Sequence, residues 1–199
     1  MTKLRIGITG NIGSGKSAFA KFIEELGYPV LYADEISKKL LTEDKSIKSA
    51  VIEHIGAQSY RGDKINNEFI ANIIFSNQTK LKKINSILHP KVRLKVEELS
   101  KSLFKTHKIV FVEAALIYES KIEKMFEYVV LITASKDNRM KRSMKSKNIS
   151  ESDFTKREQN QIEQELKQKR ADFIFSNNET KNELKKKAEL LIKILETKI

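Results

Sequence analysis

Residues 10–17 are Gly10-Asn11-Ile12-Gly13-Ser14-Gly15-Lys16-Ser17, and this stretch decides the fold. It matches the pattern G-x-x-x-x-G-K-[ST], in which backbone N–H groups wrap a polyphosphate. Leu4, Ile6 and Ile8 alternate with smaller or polar residues as in a strand, and residues 17–27 have the pattern of a helix. A strand, a glycine-rich turn and a helix start are the context that this motif requires. The alternative is an ordinary strand–turn–helix junction without a ligand.

The loop supplies most of the predicted nucleotide contacts. Lys16 is expected to neutralise charge on a transferred phosphoryl group, and the hydroxyl of Ser17 is expected to bind Mg²⁺. The residues predicted to contact the nucleotide here are Asn11, Ile12, Gly13, Ser14, Gly15, Lys16, Ser17 and Ala18. The sequence therefore predicts phosphate chemistry directly after the first strand.

Length and composition indicate a single domain that includes an inserted or lid region. The chain has 199 residues, and its 40% hydrophobic content is enough for a normal core. No apolar run approaches the length of a membrane span, and the first residues lead into a strand without signal-peptide features. Cysteine is absent, which excludes disulfides, thiolate metal sites and cysteine nucleophiles. These features favour a cytoplasmic protein.

The formal net charge is +12, which has two explanations. One is attraction to a polyanion, either a nucleotide or a nucleic acid. The other is compositional bias together with general solubility, and it is favoured because the charge is scattered along the whole chain. No basic stripe with interleaved aromatic residues indicates base stacking. A nucleic-acid-binding module is therefore the less favoured hypothesis.

The remaining pattern predicts an α/β protein. Further strands are expected at residues 29–34, 109–113, 128–133 and 172–176, separated by helices. This alternation predicts a three-layer fold, a five-stranded parallel sheet flanked by helices. The core is assigned to residues 1–34, 106–135 and 171–199, a helical insertion to 35–105, and a lid of exposed helices to 136–170. A helix break is expected at His89-Pro90, because proline disfavours the helical conformation of the residue before it.

Ligands of such sheets bind beyond the carboxyl ends of the strands, where Asp34 and Glu113 are expected to lie. Asp34 is a base for a substrate hydroxyl, a water-mediated Mg²⁺ ligand, or the cap of the next helix. Glu113 is a second acid for Mg²⁺ or a solvated strand end. Arg139 and Arg142 either reach a triphosphate from a lid or belong to a solvated charged helix. A lone histidine such as His89 is more often structural than catalytic.

Along nearly its whole length the chain resembles the dephospho-coenzyme A kinase family. The matching residues are Ile6–Ser17, Leu26–Val30, Ala33-Asp34, Phe75, Leu88–Pro90, Lys141-Arg142, Gln161, Lys167, Ala171-Asp172 and Asn177. The resemblance implies transfer of the γ-phosphate of ATP to the 3′-hydroxyl of the ribose of dephospho-coenzyme A, with Mg²⁺. This reaction is the last step of coenzyme A synthesis.

The resemblance also implies roles for single residues. Asp34 acts as the base, Arg142 serves the lid, and Ser17 holds the metal, with Asp34 and Glu113 as the candidate acids. Residues 35–105 form the acceptor-binding region. The acceptor residues are Asp34, His89, Glu119 and Gln161, and Asn177 belongs to the nucleotide site. The implied partners are ATP and dephospho-coenzyme A. Apart from the resemblance, we expect no membrane partner and a monomer or weak homo-oligomer, and a nucleic-acid partner is disfavoured.

The chain departs from the family pattern at several positions. Tyr32 and Asn67 stand where an acid and an arginine are usual, Glu113 replaces aspartate, Ala115 replaces proline, and Glu179 replaces glycine. None of these changes removes the minimum set for phosphoryl transfer. The main rival is another small-molecule kinase with the same loop, such as a nucleoside or nucleotide kinase. A GTPase is disfavoured, because residues 135–138 lack the asparagine and the spaced aspartate of a base-reading motif.

Overall fold

The computed structural model of the chain describes residues 2–147 and 149–199, without the side chains of residues 74–76, 78 and 147. The side chain of Phe75, part of the family likeness, therefore lies outside the described residues. The chain forms two compact units. The first runs to Tyr32 and resumes from Ser100 to Ile199, and the second is Ala33–Leu99.

The elements alternate along the chain as an α/β protein requires. In chain order they are β1 (Leu4–Thr9), α1 (Lys16–Glu25), β2 (Val30–Tyr32), α2 (Ala33–Glu43), α3 (Lys45–Ile55), β3 (Tyr60–Arg61), β4 (Lys64–Ile65), α4 (Asn67–Ser76), α5 (Gln78–Leu103), β5 (Ile109–Glu113), β6 (Tyr128–Thr133), α6 (Lys136–Lys147), α7 (Glu151–Gln159), α8 (Gln164–Gln168), β7 (Phe173–Ser176) and α9 (Lys181–Glu196). None of the described helices combines the length and apolar character needed to cross a membrane.

Five parallel strands of the described residues form one sheet, in the order β2-β5-β1-β6-β7. Ile8 is in register with Glu113, and Thr9 is in register with Leu131, so three central strands end side by side. Every residue of β5 is buried, as expected for a strand covered by helices on both faces. The predicted α/β fold with a five-stranded parallel sheet is confirmed.

The core of the first unit lies between this sheet and the helices α1 and α9. Ile6 and Ile8 of β1 pack in one cluster with apolar residues of both helices. The helical members of this cluster are Phe19, Ala20, Ile23, Leu184, Ala188, Leu191, Ile192 and Leu195. They recur at helical spacing, so each helix buries one apolar face. This packing anchors α1 directly behind the loop of residues 10–15.

The second unit is mainly helical and has its own core. The buried members of its cluster are Ile47, Val51, Ile55, Tyr60, Ile84 and Leu88. A short hairpin pairs β3 with β4, and Gly62 at its turn has a φ of 63°. The left-handed conformation at this turn explains the glycine.

Two local predictions are wrong. α5 continues through Pro90, because residues before and after the proline pack into the same cluster and outweigh the lost helical hydrogen bond. β2 ends at Tyr32 and α2 begins at Ala33, so Asp34 lies in the first turn of a helix and not at the end of a strand. A carboxylate is favourable there because backbone N–H groups point toward the helix N-terminus.

Candidate active site

The loop between β1 and α1 has a backbone shape that depends on its glycines. Gly13 and Gly15 have φ values of 78° and 96°, in the left-handed region that favours glycine. A Cβ on Gly13 would overlap the carbonyl oxygen of Arg139, and a Cβ on Gly15 would overlap the side-chain amide of Asn177. Because Gly15 offers no side chain to cap α1, the first N–H groups of this helix face the loop and are suited to bind an anion.

Lys16, Ser17 and Glu113 meet at the carboxyl edge of the sheet. The Nζ atom of Lys16 lies 3.7 Å from Oε1 of Glu113, and the Ser17 hydroxyl donates a hydrogen bond to the same oxygen at 3.3 Å. Only 9% of the Lys16 side chain and 4% of the Glu113 side chain are exposed. The structure thus brings the carboxylate of Glu113 to a neighbouring lysine and hydroxyl, although Ser17 precedes Glu113 by 96 residues in the sequence.

Arg142 and Asn177 border the other side of the loop. Nη1 of Arg142 donates to the carbonyl oxygen of Asn177 at 2.8 Å, and Nδ2 of Asn177 donates to the carbonyl oxygen of Ser14 at 2.8 Å. Arg142 and Asn177 line a cavity of about 550 Å³ together with Gly13, Gly15, Lys16, Ser17, Ala18 and Glu179. The cavity therefore collects most of the residues predicted to contact a nucleotide.

The beginning of the loop is held by the segment around Gln161. The N–H group of Ile12 donates to Oε1 of Gln161 at 2.8 Å, and Nδ2 of Asn11 donates to the carbonyl oxygen of Ile162 at 3.1 Å. The N–H group of Ile162 in turn donates to Oε1 of Glu119 at 2.9 Å. Glu119 and Gln161 thus connect to the loop, and their predicted contact with an acceptor stays a prediction.

A buried ion pair supports this segment. Nζ of Lys167 lies 2.8 Å from Oε1 of Glu119, and the Lys167 side chain is fully buried. Burial lowers the pKa of Lys167, although the hydrogen bond and charge of Glu119 act in the opposite direction. The pair fixes the end of α8 relative to the loop after β5.

Arg139 does not belong to a solvated helix. Its side chain is buried, and its guanidinium contacts the carbonyl oxygens of Ile12 and Ala134 and the carboxylate of Glu158. The prediction of exposed helices in residues 136–170 is also wrong for Phe154 and for Lys167, which are fully buried. Glu158 was not predicted as a site residue. Phe154 and Glu158 are four residues apart on α7, and this spacing could have indicated an inward-facing side.

Asp34 and His89 belong to the second unit. Asp34 is exposed in the first turn of α2. His89 is half-buried in α5, where desolvation lowers its pKa. This shift favours the neutral imidazole form of His89.

A glycine-shaped loop, an inward lysine and a helix N-terminus at the edge of a parallel sheet define a phosphate-loop nucleotide site of the kinase class. Comparison with known proteins gives the family. The dephospho-CoA kinase family model matches residues 4–183. A dephospho-CoA kinase of Chlamydia caviae is 34% identical over 188 residues, which are 94% of this chain and 93% of that protein.

Two solved structures resemble this chain along nearly its whole length. A Thermus thermophilus protein is 30% identical, with a TM-score of 0.81 over 98% of this chain and 99% of that chain. A dephospho-CoA kinase from Campylobacter jejuni is 28% identical, with a TM-score of 0.73 over 98% of both chains. The chain therefore belongs to the dephospho-CoA kinase family, whose activity is the ATP-dependent phosphorylation of dephospho-coenzyme A. This family membership confirms the resemblance and the predicted kinase activity.

Proposed function

We propose that the chain transfers the γ-phosphoryl group of ATP to the 3′-hydroxyl of the ribose of dephospho-coenzyme A, with the loop at residues 10–17 as the donor site. The observation that carries this proposal is that Lys16 and Ser17 converge on the same carboxylate oxygen of Glu113 at the carboxyl edge of the sheet. Phosphoryl transfer depends mainly on positioning and on stabilising charge, and a buried ammonium beside the loop supplies both.

The donor nucleotide occupies the cavity beside Arg142 and Asn177 in this proposal. The backbone N–H groups of the loop bind the phosphates, and Lys16 exchanges its contact with Glu113 for a contact with phosphate oxygens. Arg142 lines the cavity and is half-buried, so its guanidinium can contact a triphosphate that binds there. An arginine on the transferring group stabilises charge that develops in the transition state.

The residues at the loop fit Mg²⁺ as the accompanying ion. Ser17 offers a hydroxyl oxygen and Glu113 a carboxylate oxygen, and the two side chains are 3.3 Å apart. Mg²⁺ prefers few protein oxygens and completes its shell with phosphates and water. When bound, the ion would neutralise charge on the phosphates. Glu113 would then play the acidic role that the family usually gives to aspartate.

The second unit supplies the acceptor side in this proposal. Asp34 accepts the proton of the ribose hydroxyl, a role open to an exposed carboxylate that can meet a substrate. Burial favours the neutral imidazole of His89, a form that can donate one hydrogen bond and accept another where it shapes the acceptor site. Residues 35–105 as the acceptor-binding region and residues 136–170 as the lid belong to the same proposal, as do a cytoplasmic location and a monomer or weak homo-oligomer.

A coupled ADP-release assay over a panel of acceptors tests the function. Dephospho-coenzyme A, adenosine and AMP are compared at equal concentration with Mg·ATP, and the product is mapped by phosphorus NMR. We expect ADP release with dephospho-coenzyme A and a new 3′-phosphate. The matched control is Lys16→Ala, which removes the ammonium at the loop and should abolish release. If adenosine or AMP were by far the better acceptor, the acceptor assignment would be wrong while the kinase chemistry stood.

A further inference from the structure

Arg139 lies at a junction of three parts of the first unit. Its Nη1 atom is 3.5 Å from the carbonyl oxygen of Ile12 in the loop, and its Nε atom donates to the carbonyl oxygen of Ala134 after β6 at 3.3 Å. Its Nη2 atom donates to Oε1 of Glu158 on α7 at 2.6 Å. Only 7% of the Arg139 side chain is exposed. A guanidinium can serve three acceptors in different directions because its donors form a rigid planar fork.

The backbone at Arg139 reinforces the same junction. Its carbonyl oxygen fills the space where a Cβ of Gly13 would lie. Arg139 thus contacts the loop twice: its carbonyl oxygen lies against Gly13, and its guanidinium contacts the carbonyl oxygen of Ile12. The guanidinium also lies 5.8 Å from the ring centroid of Phe154, which is fully buried. Arg139 therefore links helix α6 and the apolar face of α7 to the loop.

The neighbouring cations favour the carboxylate form of Glu158. Burial alone would raise the pKa of Glu158, but the hydrogen bond and charge of Arg139, with a smaller contribution from Lys136, lower it overall. Lys136 reaches Oε2 of Glu158 at 3.3 Å, yet 65% of its side chain is exposed. Lys136 thus shares the carboxylate with Arg139 and has no hydrogen bond to the loop among the described contacts.

We propose that Arg139 is a positioning residue that holds the phosphate loop in its nucleotide-binding shape and couples this shape to α7 through Glu158. Arg142 lines the donor cavity, whereas Arg139 works behind the loop. In this proposal Arg142 contacts the nucleotide, and Arg139 fixes the backbone of the loop. The inference rests on the proposed function only in that this loop binds the donor nucleotide.

The test compares Arg139→Met with Lys136→Met, since both remove a cation from Glu158 and only the first removes a contact with the loop. The dissociation constant of ATP is measured by calorimetry without any acceptor. We expect about tenfold weaker binding for Arg139→Met, the scale of losing a charged hydrogen bond, and less than about twofold for Lys136→Met. Equal effects of the two variants, or no effect of Arg139→Met, would overturn the proposal.

A steady-state measurement separates positioning from general damage. In Arg139→Met the KM for ATP should rise by about tenfold, while the KM for dephospho-coenzyme A changes by less than about twofold. Because ATP binding is measured without the acceptor, a failure of the acceptor assignment would leave the calorimetric result valid. The two failures are therefore distinguishable.

A double variant addresses the risk that Arg139→Met does not fold. Arg139→Leu with Glu158→Leu replaces the pair, in which Arg139 is buried and Glu158 is half-buried, by apolar side chains, a change that often preserves stability. We expect its thermal midpoint to return close to that of the wild type while ATP binding stays weak. Recovery of both stability and ATP affinity in the double variant would show that Arg139 has only a structural role.

Discussion

Lys167→Met is expected to destabilise the first unit strongly, because it removes one partner of a buried ion pair. Breaking such a pair typically costs about 3–5 kcal/mol, since the remaining charge stays buried without compensation. Here the carboxylate of Glu119 keeps the hydrogen bond from the N–H group of Ile162 at 2.9 Å, and 14% of its side chain is exposed. This residual solvation places the expected loss near the lower limit, at about 3 kcal/mol.

Urea unfolding followed by circular dichroism measures this loss, and a thermal scan gives an independent value. For a chain of this size each kcal/mol lowers the midpoint by about 2–4 °C, so a fall of about 6–12 °C is expected. Adding Glu119→Gln removes the unpaired charge and keeps an acceptor for Ile162, and should restore at least half of the loss. A loss below about 1 kcal/mol for Lys167→Met, or no recovery in the double variant, would refute the reasoning.

Three further variants, one of them with a matched control, test the site. Asp34→Asn should leave stability and ATP binding unchanged and slow phosphoryl transfer by about a hundredfold or more in single-turnover assays, whereas near-normal turnover would exclude Asp34 as the base. Arg142→Ala should lower kcat by about a thousandfold and Lys145→Ala very little, because Lys145 is exposed on the same helix; equal small effects would argue against a phosphate contact. Gly15→Ala adds a Cβ at a φ of 96° against Asn177, so nucleotide titration should show at least about tenfold weaker binding, and unchanged affinity would contradict the proposed loop shape.

The fold and the donor loop could be predicted because their signals are local. The spacing of Gly10, Gly13 and Gly15 before Lys16 marks the loop, and the apolar run Ile109–Glu113 marks a buried strand. Both depend on backbone geometry and burial over a few residues.

The contacts that support the loop could not be predicted in the same way. Arg139 and Glu158 are 19 residues apart, and each is one charged residue in a segment rich in charge. Only the packing of α7 shows which of these side chains turn inward. Pro90 illustrates the same point, because packing on both sides of it keeps α5 continuous against the local preference.

Among the described residues, three cationic groups near the loop each lie close to a carboxylate, but at different distances. Arg139 and Lys167 lie 2.6 and 2.8 Å from their partners, whereas Lys16 lies 3.7 Å from Glu113. Of these three, Lys16 is the most loosely held, so its ammonium can turn to an arriving triphosphate while the two closer pairs stay in place. Because the two closer pairs already fix their side chains, nucleotide binding needs to reorient only Lys16 among these three cations.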